Sequence, residues 1–342
     1  MRGSLTTSTP RGLHSSDPLL ALRDVRVGVP GEDGFIAAVH GVTLDVRAGE
    51  AVGLVGESGS GKTLTCLAAA RLLPVGARLL GGQVQFEGLD VYQYKRRQLR
   101  LWHGGDVGVV FQDPSTALDP LFTIGSQIRE TLRAHGLSRS AARRRAPALL
   151  EEVGLPEPDK VSRSFAHQLS GGMRQRAAIA MALAPMPKLL IADEPTTALD
   201  ATTQMAVLNM VGRVREERKL SLVLVTHDIA AALNHVDRLA VMYNGRIVEE
   251  GSPSQVRRSP GHPYTEALLK CAGLTDQPSA RRMTTIPGAM PPVGEDRSQC
   301  MFAPRCPYVE SLCLESRPRA EATAGGWAVC RRVTRVQDKS WN

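Results

Sequence analysis

Hydrophobic and polar positions change their spacing several times along the chain, and each change predicts a different kind of element. From residue 19 to 55 apolar and polar residues alternate, with turn residues at Pro30-Gly31 and Ala48-Gly49. This predicts short strands that end in the apolar run Ala51 to Val55, a buried strand. Leu64 to Leu73 follows as a helix stopped by Pro74, and Val84-Gln85-Phe86 predicts another strand. Between Ile124 and Pro185 the spacing turns helical and arginine-rich, before strand-like runs return at Leu189 to Ala192 and Leu222 to Val225. Asn244-Gly245, between Leu239-Ala240-Val241-Met242 and Ile247-Val248, predicts a tight hairpin. Beyond Gly251 prolines recur at Pro253, Pro260, Pro263, Pro278, Pro287, Pro291 and Pro292, the composition of an extended C-terminal appendage. The pattern as a whole predicts an α/β domain with a helical insert.

Composition narrows this reading only in places. A chain of 342 residues with 42% hydrophobic content can bury a real core in one main domain. No apolar run approaches the roughly 20 residues needed to cross a bilayer. Residues 1–17 form a polar Ser/Thr/Arg segment without a signal peptide's apolar centre, so a disordered tail and a cytosolic chain are expected. A net charge of +8 is compatible with nucleic acid, with an anionic membrane face or with neither, and does not choose. The run Arg143-Arg144-Arg145 reads as a solvated helix face, with a docking or lipid role as the alternative. Cys66 and Cys271 stand alone, whereas Cys300, Cys306, Cys313 and Cys330 crowd the C-terminal end. Their C-x5-C-x6-C-x16-C spacing lacks the tight C-x-x-C pairs of a zinc ribbon, yet four such thiols in a reducing compartment suggest metal ligation over disulfides.

The chemistry starts at Gly56-Glu57-Ser58-Gly59-Ser60-Gly61-Lys62-Thr63, between the predicted strand and helix. Glycines let backbone N–H groups crowd phosphates at the positive end of a helix, Lys62 reaches the terminal phosphates, and the Thr63 hydroxyl can ligate magnesium. A purine nucleoside triphosphate with Mg²⁺ is the expected ligand. Four clusters follow. Gln112 ends the apolar strand Val109-Val110-Phe111, where its amide could meet magnesium or an attacking water. Leu169-Ser170-Gly171-Gly172-Met173-Arg174-Gln175-Arg176 precedes an alanine-rich helix, so Ser170 and the glycine amides either bind a phosphate or cap the helix. Leu189 to Ala192 runs into Asp193, placed to hold the Mg²⁺ shell, and Glu194, placed to polarise a water. Thr226-His227-Asp228 ends the next strand, where the imidazole can hydrogen-bond a γ-phosphate.

These motifs, with the Ala198-Leu199-Asp200 loop and in this order, resemble the nucleotide-binding subunit of an ABC transporter over roughly Leu19 to Gly251. The resemblance implies an α/β P-loop NTPase cassette, a mixed-sheet core with an antiparallel β subdomain and a helical subdomain at about 113–186. With it come the divisions 1–17 tail, 18–258 ATPase domain and 259–342 Cys-rich extension. It implies that ATP is contacted by Gly56, Ser58, Gly59, Ser60, Gly61, Lys62 and Thr63, and by Asp193, Ser170, Gly171, Gly172, Gln175 and Asp200. Thr63, Gln112 and Asp193 would surround Mg²⁺, and Glu194, His227 and Gln112 would serve catalysis. In that family the signature of one subunit closes on ATP held by the phosphate loop of the other, so a second ATPase subunit is implied.

A narrower resemblance rests on Phe111-Gln112-Asp113-Pro114-Ser115-Thr116-Ala117-Leu118-Asp119-Pro120, Phe122-Thr123-Ile124-Gly125 and Gly261-His262-Pro263-Tyr264-Thr265. With Ile286-Pro287-Gly288 and Phe302-Ala303-Pro304-Arg305-Cys306-Pro307, these resemble the oligopeptide, dipeptide and nickel importers. That implies ATP-driven import of di- or oligopeptides, with nickel or another small chelate as the alternative cargo. It also implies two transmembrane permeases, an extracytoplasmic substrate-binding protein, a peripheral place on the cytoplasmic face of the membrane, and no nucleic acid. A [4Fe-4S] cluster on Cys300, Cys306, Cys313 and Cys330, with a structural rather than redox role, is implied too, with zinc, or free or oxidised thiols, as the alternatives. The chain departs from the family where an aromatic ring stacks on adenine: Val29 stands there and cannot stack, which leaves Phe35 as the candidate substitute. A soluble ABC ATPase acting on nucleic acid is the competing class, favoured by the basic charge alone. The second cassette, long coiled coil or internal zinc module usual in that class is not visible in the sequence.

Overall fold

In the computed structural model, residues 17–274 (apart from 33 and 198) and 285–333 are described. The expected tail 1–17 therefore lies, except for Asp17, outside the described residues, as do Ala198 and Pro278.

The alternating N-terminal segment forms two long strands where short ones are expected. They are β1 (Leu20–Gly31) and β2 (Gly34–Val46), paired antiparallel from Leu20↔Val46 to Gly31↔Gly34. Register shifts along β1 let a strand of this length twist and bend over the core. Next comes β3 (Ala51–Val55), buried along its whole length, followed by α1 (Lys62–Ala69). This helix ends earlier than Pro74 suggests. Arg71 takes φ 50°, its N–H donates to Ala68 O, and the Leu72 N–H donates to Leu67 O, so a left-handed cap closes the helix first. β4 (Arg78–Phe86) and β5 (Leu89–Asp90) complete a four-stranded antiparallel sheet in the order β2-β1-β4-β5.

After the kinked α2 (Arg96–Gly105) and β6 (Val107–Val110), the arginine-rich region is helical. It comprises α3 (Pro114–Ala117), α4 (Ile124–Ala134), α5 (Arg139–Glu152), α6 (Pro158–Arg163) and α7 (Gly171–Leu183). On α5, Ala142, Ala146, Leu149 and Leu150 face the core, while Arg143 and Arg144 are exposed and Arg145 pairs with Glu152 at 3.2 Å. The arginine run thus reads as a solvated face, its apolar partners lying at helical spacing on the other side.

The rest of the chain alternates strand and helix: β7 (Leu189–Asp193), α8 (Ala201–Arg218), β8 (Ser221–Thr226), α9 (Ile229–Leu233) and β9 (Arg238–Tyr243). Strands β9, β3, β8, β7 and β6 lie side by side and parallel, with β3, β7 and β8 buried throughout. Continuous apolar strands are what a parallel sheet covered on both faces requires. Asn244 and Gly245, at φ 43° and 73°, turn the chain from β9 into the antiparallel β10 (Arg246–Gly251).

The C-terminal segment packs onto the main sheet. After α10 (Pro253–Arg258), α11 (Pro263–Cys271) and α12 (Ser311–Glu315), the hairpin β11 (Glu321–Thr323) and β12 (Gly326–Ala328) joins the main sheet, β12 pairing with β10. Tyr243 of β9, Tyr264 of α11 and Phe302 are buried as a three-ring cluster, with centroids 4.7, 5.3 and 5.5 Å apart. Prolines make this segment irregular, but aromatic burial fixes it to the sheet.

One buried carboxylate ties α11 to β10. Glu249 is fully buried and accepts from the N–H groups of Gly261 at 2.6 Å and His262 at 2.9 Å. Burial pushes its carboxyl up to about 7 from an ordinary 4.5, against the pull of those N–H groups. The folded protein then holds this proton more tightly than the unfolded chain, so the group's contribution is full below about 4.5 and lost as pH rises through about 7. In chemical denaturation this group is expected to lower stability by on the order of 2 kcal/mol between about pH 5 and about pH 8. The adjacent His262 opposes it: burial lowers its pKa to about 3, and it gains stability as pH rises to its ordinary 6.5, so the difference is read against a variant at Glu249. Glu249→Gln removes that share of the difference, and an identical pH dependence in both proteins would refute the assignment.

Candidate active site at the strand ends

The carboxyl ends of β3, β8, β7 and β6, adjacent in the sheet, deliver the sequence-predicted residues to one place. Gly56 leaves β3 under β9 so closely that a Cβ there would lie 2.2 Å from Met242 O, and Gly61 takes φ 100° before α1 begins. Both positions need glycine, one for space and one for its left-handed backbone. The Gly245 N–H of the β9–β10 turn donates to Ser60 O at 2.8 Å and props the loop from below. Lys62, buried to 4% exposure, folds back so that Nζ donates to Gly56 O and Glu57 O, each at 2.9 Å. Burial lowers its pKa, and the carboxylates of Glu194 and Asp193 oppose that shift.

Thr63 Oγ1 stands 3.2 Å from Asp193 Oδ1, and Asp193 is 3% exposed. Burial raises the Asp193 pKa, although the Thr63 hydrogen bond lowers it. A hydroxyl and a partly desolvated carboxylate this close fit the oxygen shell of a hard divalent cation.

Glu194 is the convergence point. Its Oε2 accepts from Thr197 Oγ1 at 2.7 Å and Gln112 Nε2 at 3.2 Å, and lies 3.3 Å from His227 Nδ1. The residue takes φ 46°, a left-handed conformation that costs a non-glycine residue about 1 kcal/mol, held by its N–H donating to Val225 O at 2.9 Å. Gln112, Glu194 and His227, named separately from the sequence, are thus brought together. Thr197 was not named; its position three residues after Glu194, in the turn before α8, is the signal that could have found it.

The signature lies elsewhere. Ser170 caps α7, its hydroxyl accepting from Met173 N–H at 3.3 Å, and Gly172 lies so close to α8 that a Cβ would fall 2.5 Å from Thr203 Cγ2. Gln175 is buried, and among the described residues its Nε2 has no hydrogen-bond partner. Asp200 caps α8 through Thr203, which lowers its pKa. Among the described residues no hydrogen bond links Ser170, Gly171, Gly172 or Gln175 to residues 56–63.

At the adenine end, Val29 pairs with Ile36 and Pro30 with Phe35. Phe35 is 40% exposed, and the Arg78 guanidinium lies 3.4 Å from its ring centre, so one face of the candidate substitute is already covered.

The cysteine expectation finds no support in the geometry. Among the described residues no group of three or more His, Cys, Asp or Glu side chains is arranged to hold a metal ion, so the geometry supports neither a [4Fe-4S] nor a zinc centre on Cys300, Cys306, Cys313 and Cys330. The four share a neighbourhood: burial, then the charges of the other thiols, pushes Cys306 up to about 11, while burial chiefly pushes Cys330 up to about 12. They come from different places, however: the turn before a short 3-10 helix at Ala303–Arg305, the end of that helix, α12, and the loop after β12.

A phosphate loop, an exposed Thr63 hydroxyl bonded to the buried Asp193, a carboxylate ringed by Gln, Thr and His, and a separate signature cap define a P-loop ATPase of the ABC class. The sequence matches the ABC transporter family over residues 39–197 and the oligopeptide/dipeptide transporter C-terminal region over residues 248–313. The chain belongs to the ATP-binding proteins of ABC transporters, in the branch that carries this C-terminal region. It is 40% identical to a probable peptide ABC transporter ATP-binding protein of Sinorhizobium fredii, covering 94% of this chain and 97% of that one. It is 39% identical to the dipeptide transport ATP-binding protein DppD of Escherichia coli, covering 90% and 94%. With the oligopeptide transport ATP-binding protein OppD of Escherichia coli it shares 37% identity over 95% and 96%. Among solved structures, the dimeric ABC transporter cassette MJ0796 superposes with a TM-score of 0.62 at 29% identity, over 68% of this chain and 98% of that one. The same cassette in a post-hydrolysis state bound to ADP and Pi gives 0.61 over the same shares. The protein is an ATPase of this class, with ATP as substrate and Mg²⁺ as its ion.

Proposed function

We propose that this protein hydrolyses ATP to energise the import of di- or oligopeptides across the cytoplasmic membrane, paired with a second ATP-binding subunit beneath two permeases fed by an extracytoplasmic binding protein. The observation that carries the hydrolytic part is the convergence of Gln112, Thr197 and His227 on Glu194, beside the Thr63–Asp193 pair. Relatives named for peptide, dipeptide and oligopeptide transport, matched over nearly the whole chain, support the cargo class.

In this reading the amides of Gly56 to Thr63 and the Lys62 ammonium bind the phosphates. Thr63 and Asp193 would hold Mg²⁺, with Gln112 at the edge of its shell; when bound, the ion offsets charge on the phosphate oxygens. Glu194 accepts a proton from the attacking water while Gln112 and Thr197 fix its carboxylate, and His227 donates to the γ-phosphate as its charge rises. The residues from Ser170 to Gln175, with Asp200, serve the partner's nucleotide. Their separation from this chain's own phosphate loop supports an ATP site completed by two subunits. Closure around ATP and release after hydrolysis then form the two states that drive transport.

Residues 18–258 act as the ATPase unit and 259–342 as its extension. Phe111, Leu121 and Phe122 are exposed at 39%, 80% and 55%, close in sequence to Gln112, which suits a permease contact. Among the described residues no helix is long and apolar enough to cross a membrane, so we place the protein peripherally on the cytoplasmic face.

The test is reconstitution with its permeases and second ATPase in proteoliposomes. ATPase activity is expected to rise when the binding protein carries a peptide. Stimulation by a nickel-loaded binding protein alone would overturn the peptide reading.

A further inference from the structure

We propose that Arg305, far from the nucleotide motifs in sequence, is a positioning residue for ATP binding: through Glu57 it holds the phosphate loop in shape. This rests on the reading of residues 56–63 as the ATP cradle.

Glu57 is gripped on three sides. Its carboxylate takes both terminal nitrogens of Arg305, at 2.7 and 2.9 Å. Its N–H donates to the Tyr264 hydroxyl at 2.7 Å. Its carbonyl accepts from Lys62 Nζ at 2.9 Å, so the residue pinned from outside is also the one that aims the phosphate-binding lysine. The grip comes from 207 and 248 residues away along the chain, from α11 and the short helix that precedes Cys306.

The outer half of this clamp is rigid. The Arg305 side chain is 3% exposed, its Nε donates to Pro287 O at 2.8 Å, and its guanidinium lies 5.8 Å from the Tyr243 ring centre. Tyr264 is fully buried in the three-ring cluster. A bidentate ion pair with one partner this buried is directional and little screened, unlike an exposed pair. The loop it holds contains Gly56, Ser58, Gly59, Ser60 and Gly61, and a glycine-rich backbone loses much freedom on ordering. A loop ordered before ATP arrives does not lose that freedom on binding, so the clamp acts on affinity. No hydrogen bond among the described residues links Arg305 to Glu194, so the chemical step is left alone.

The test measures Mg-ATP affinity of the full chain by titration calorimetry, with melting temperature alongside and steady-state ATPase in the reconstituted transporter. Arg305→Ala and Glu57→Ala are each expected to weaken ATP binding about tenfold, on the scale of one residue's ordering. The double variant should be no weaker than either single one, because both changes open the same clamp. In the transporter, KM for ATP should rise with kcat within about twofold. Arg305→Lys, which keeps charge but not the fork, should recover part of the affinity. Tyr264→Phe, which keeps the ring and loses one hydrogen bond, should weaken binding about threefold while lowering the melting temperature by no more than about 2–4 °C. Should Arg305→Ala not fold, Glu57→Gln and Tyr264→Phe carry the test. Unchanged ATP affinity in the folded variants, or additive losses in the double variant, overturns the proposal. If the wild-type chain itself binds no ATP, or Lys62→Ala binds as well as wild type, the reading of the loop fails instead.

Discussion

Glu194→Gln is expected to bind ATP almost as well as wild type while hydrolysis in the assembled transporter falls by about 10²- to 10⁴-fold, the range a positioned general base contributes. The substitution keeps the shape of the side chain and an oxygen that can accept from Thr197 and Gln112, which now bond Oε2 at 2.7 and 3.2 Å. What it removes is the negative charge that draws a proton from water. Among the described residues Asp193 and Thr63, proposed above to hold the ion, do not hydrogen-bond Glu194, so binding is expected to stay intact. Single-turnover hydrolysis measured next to nucleotide affinity separates the two effects. Turnover near the wild-type rate would show that another group takes the proton, and a parallel loss of affinity would show that Glu194 acts on binding.

Lys62→Ala should have the largest effect on binding itself, weakening ATP at least about 100-fold, since charge-assisted hydrogen bonds contribute about 1.5–3 kcal/mol each. Lys62 is 4% exposed, and its ammonium is paired with Gly56 O and Glu57 O. Alanine leaves those carbonyls buried without their donor and takes away the cation nearest the expected phosphates. Titration with Mg-ATP, next to a melting curve recorded without nucleotide, distinguishes a lost ligand contact from a collapsed loop. Affinity within a few-fold of wild type would mean that the backbone amides alone carry the phosphates.

Much of the fold was legible in the spacing of apolar residues, because burial imposes its period directly on the strands it covers. The buried runs at β3, β7 and β8 and the Asn-Gly turn appeared where the pattern put them. The end of α1 did not, because a left-handed Arg71 closes the helix before Pro74, and arginine carries no local sign of that conformation. The candidate site was legible residue by residue: Gln112, Asp193, Glu194 and His227 each lie at, or one or two residues beyond, the carboxyl end of a strand. Their meeting point was not, since it depends on the order in which four strands lie side by side. The Cys-rich segment was read least well. Its prolines suggested an appendage, whereas β12 extends the central sheet and Tyr264 and Phe302 complete its core. Four clustered thiols suggested a metal centre whose ligand geometry the folded segment does not present.

The sequence by itself determined the ligand class and the catalytic vocabulary, because phosphate binding and proton abstraction demand particular residues at short spacing, and short spacing is visible along a chain. Only the tertiary structure decided that Thr197 joins Gln112 and His227 on Glu194, that the signature stands apart from its own phosphate loop, and that Arg305 and Tyr264 grip Glu57. Those contacts join distant segments, and it is the packing of strands and aromatic rings, with no imprint on local spacing, that brings them within hydrogen-bonding reach.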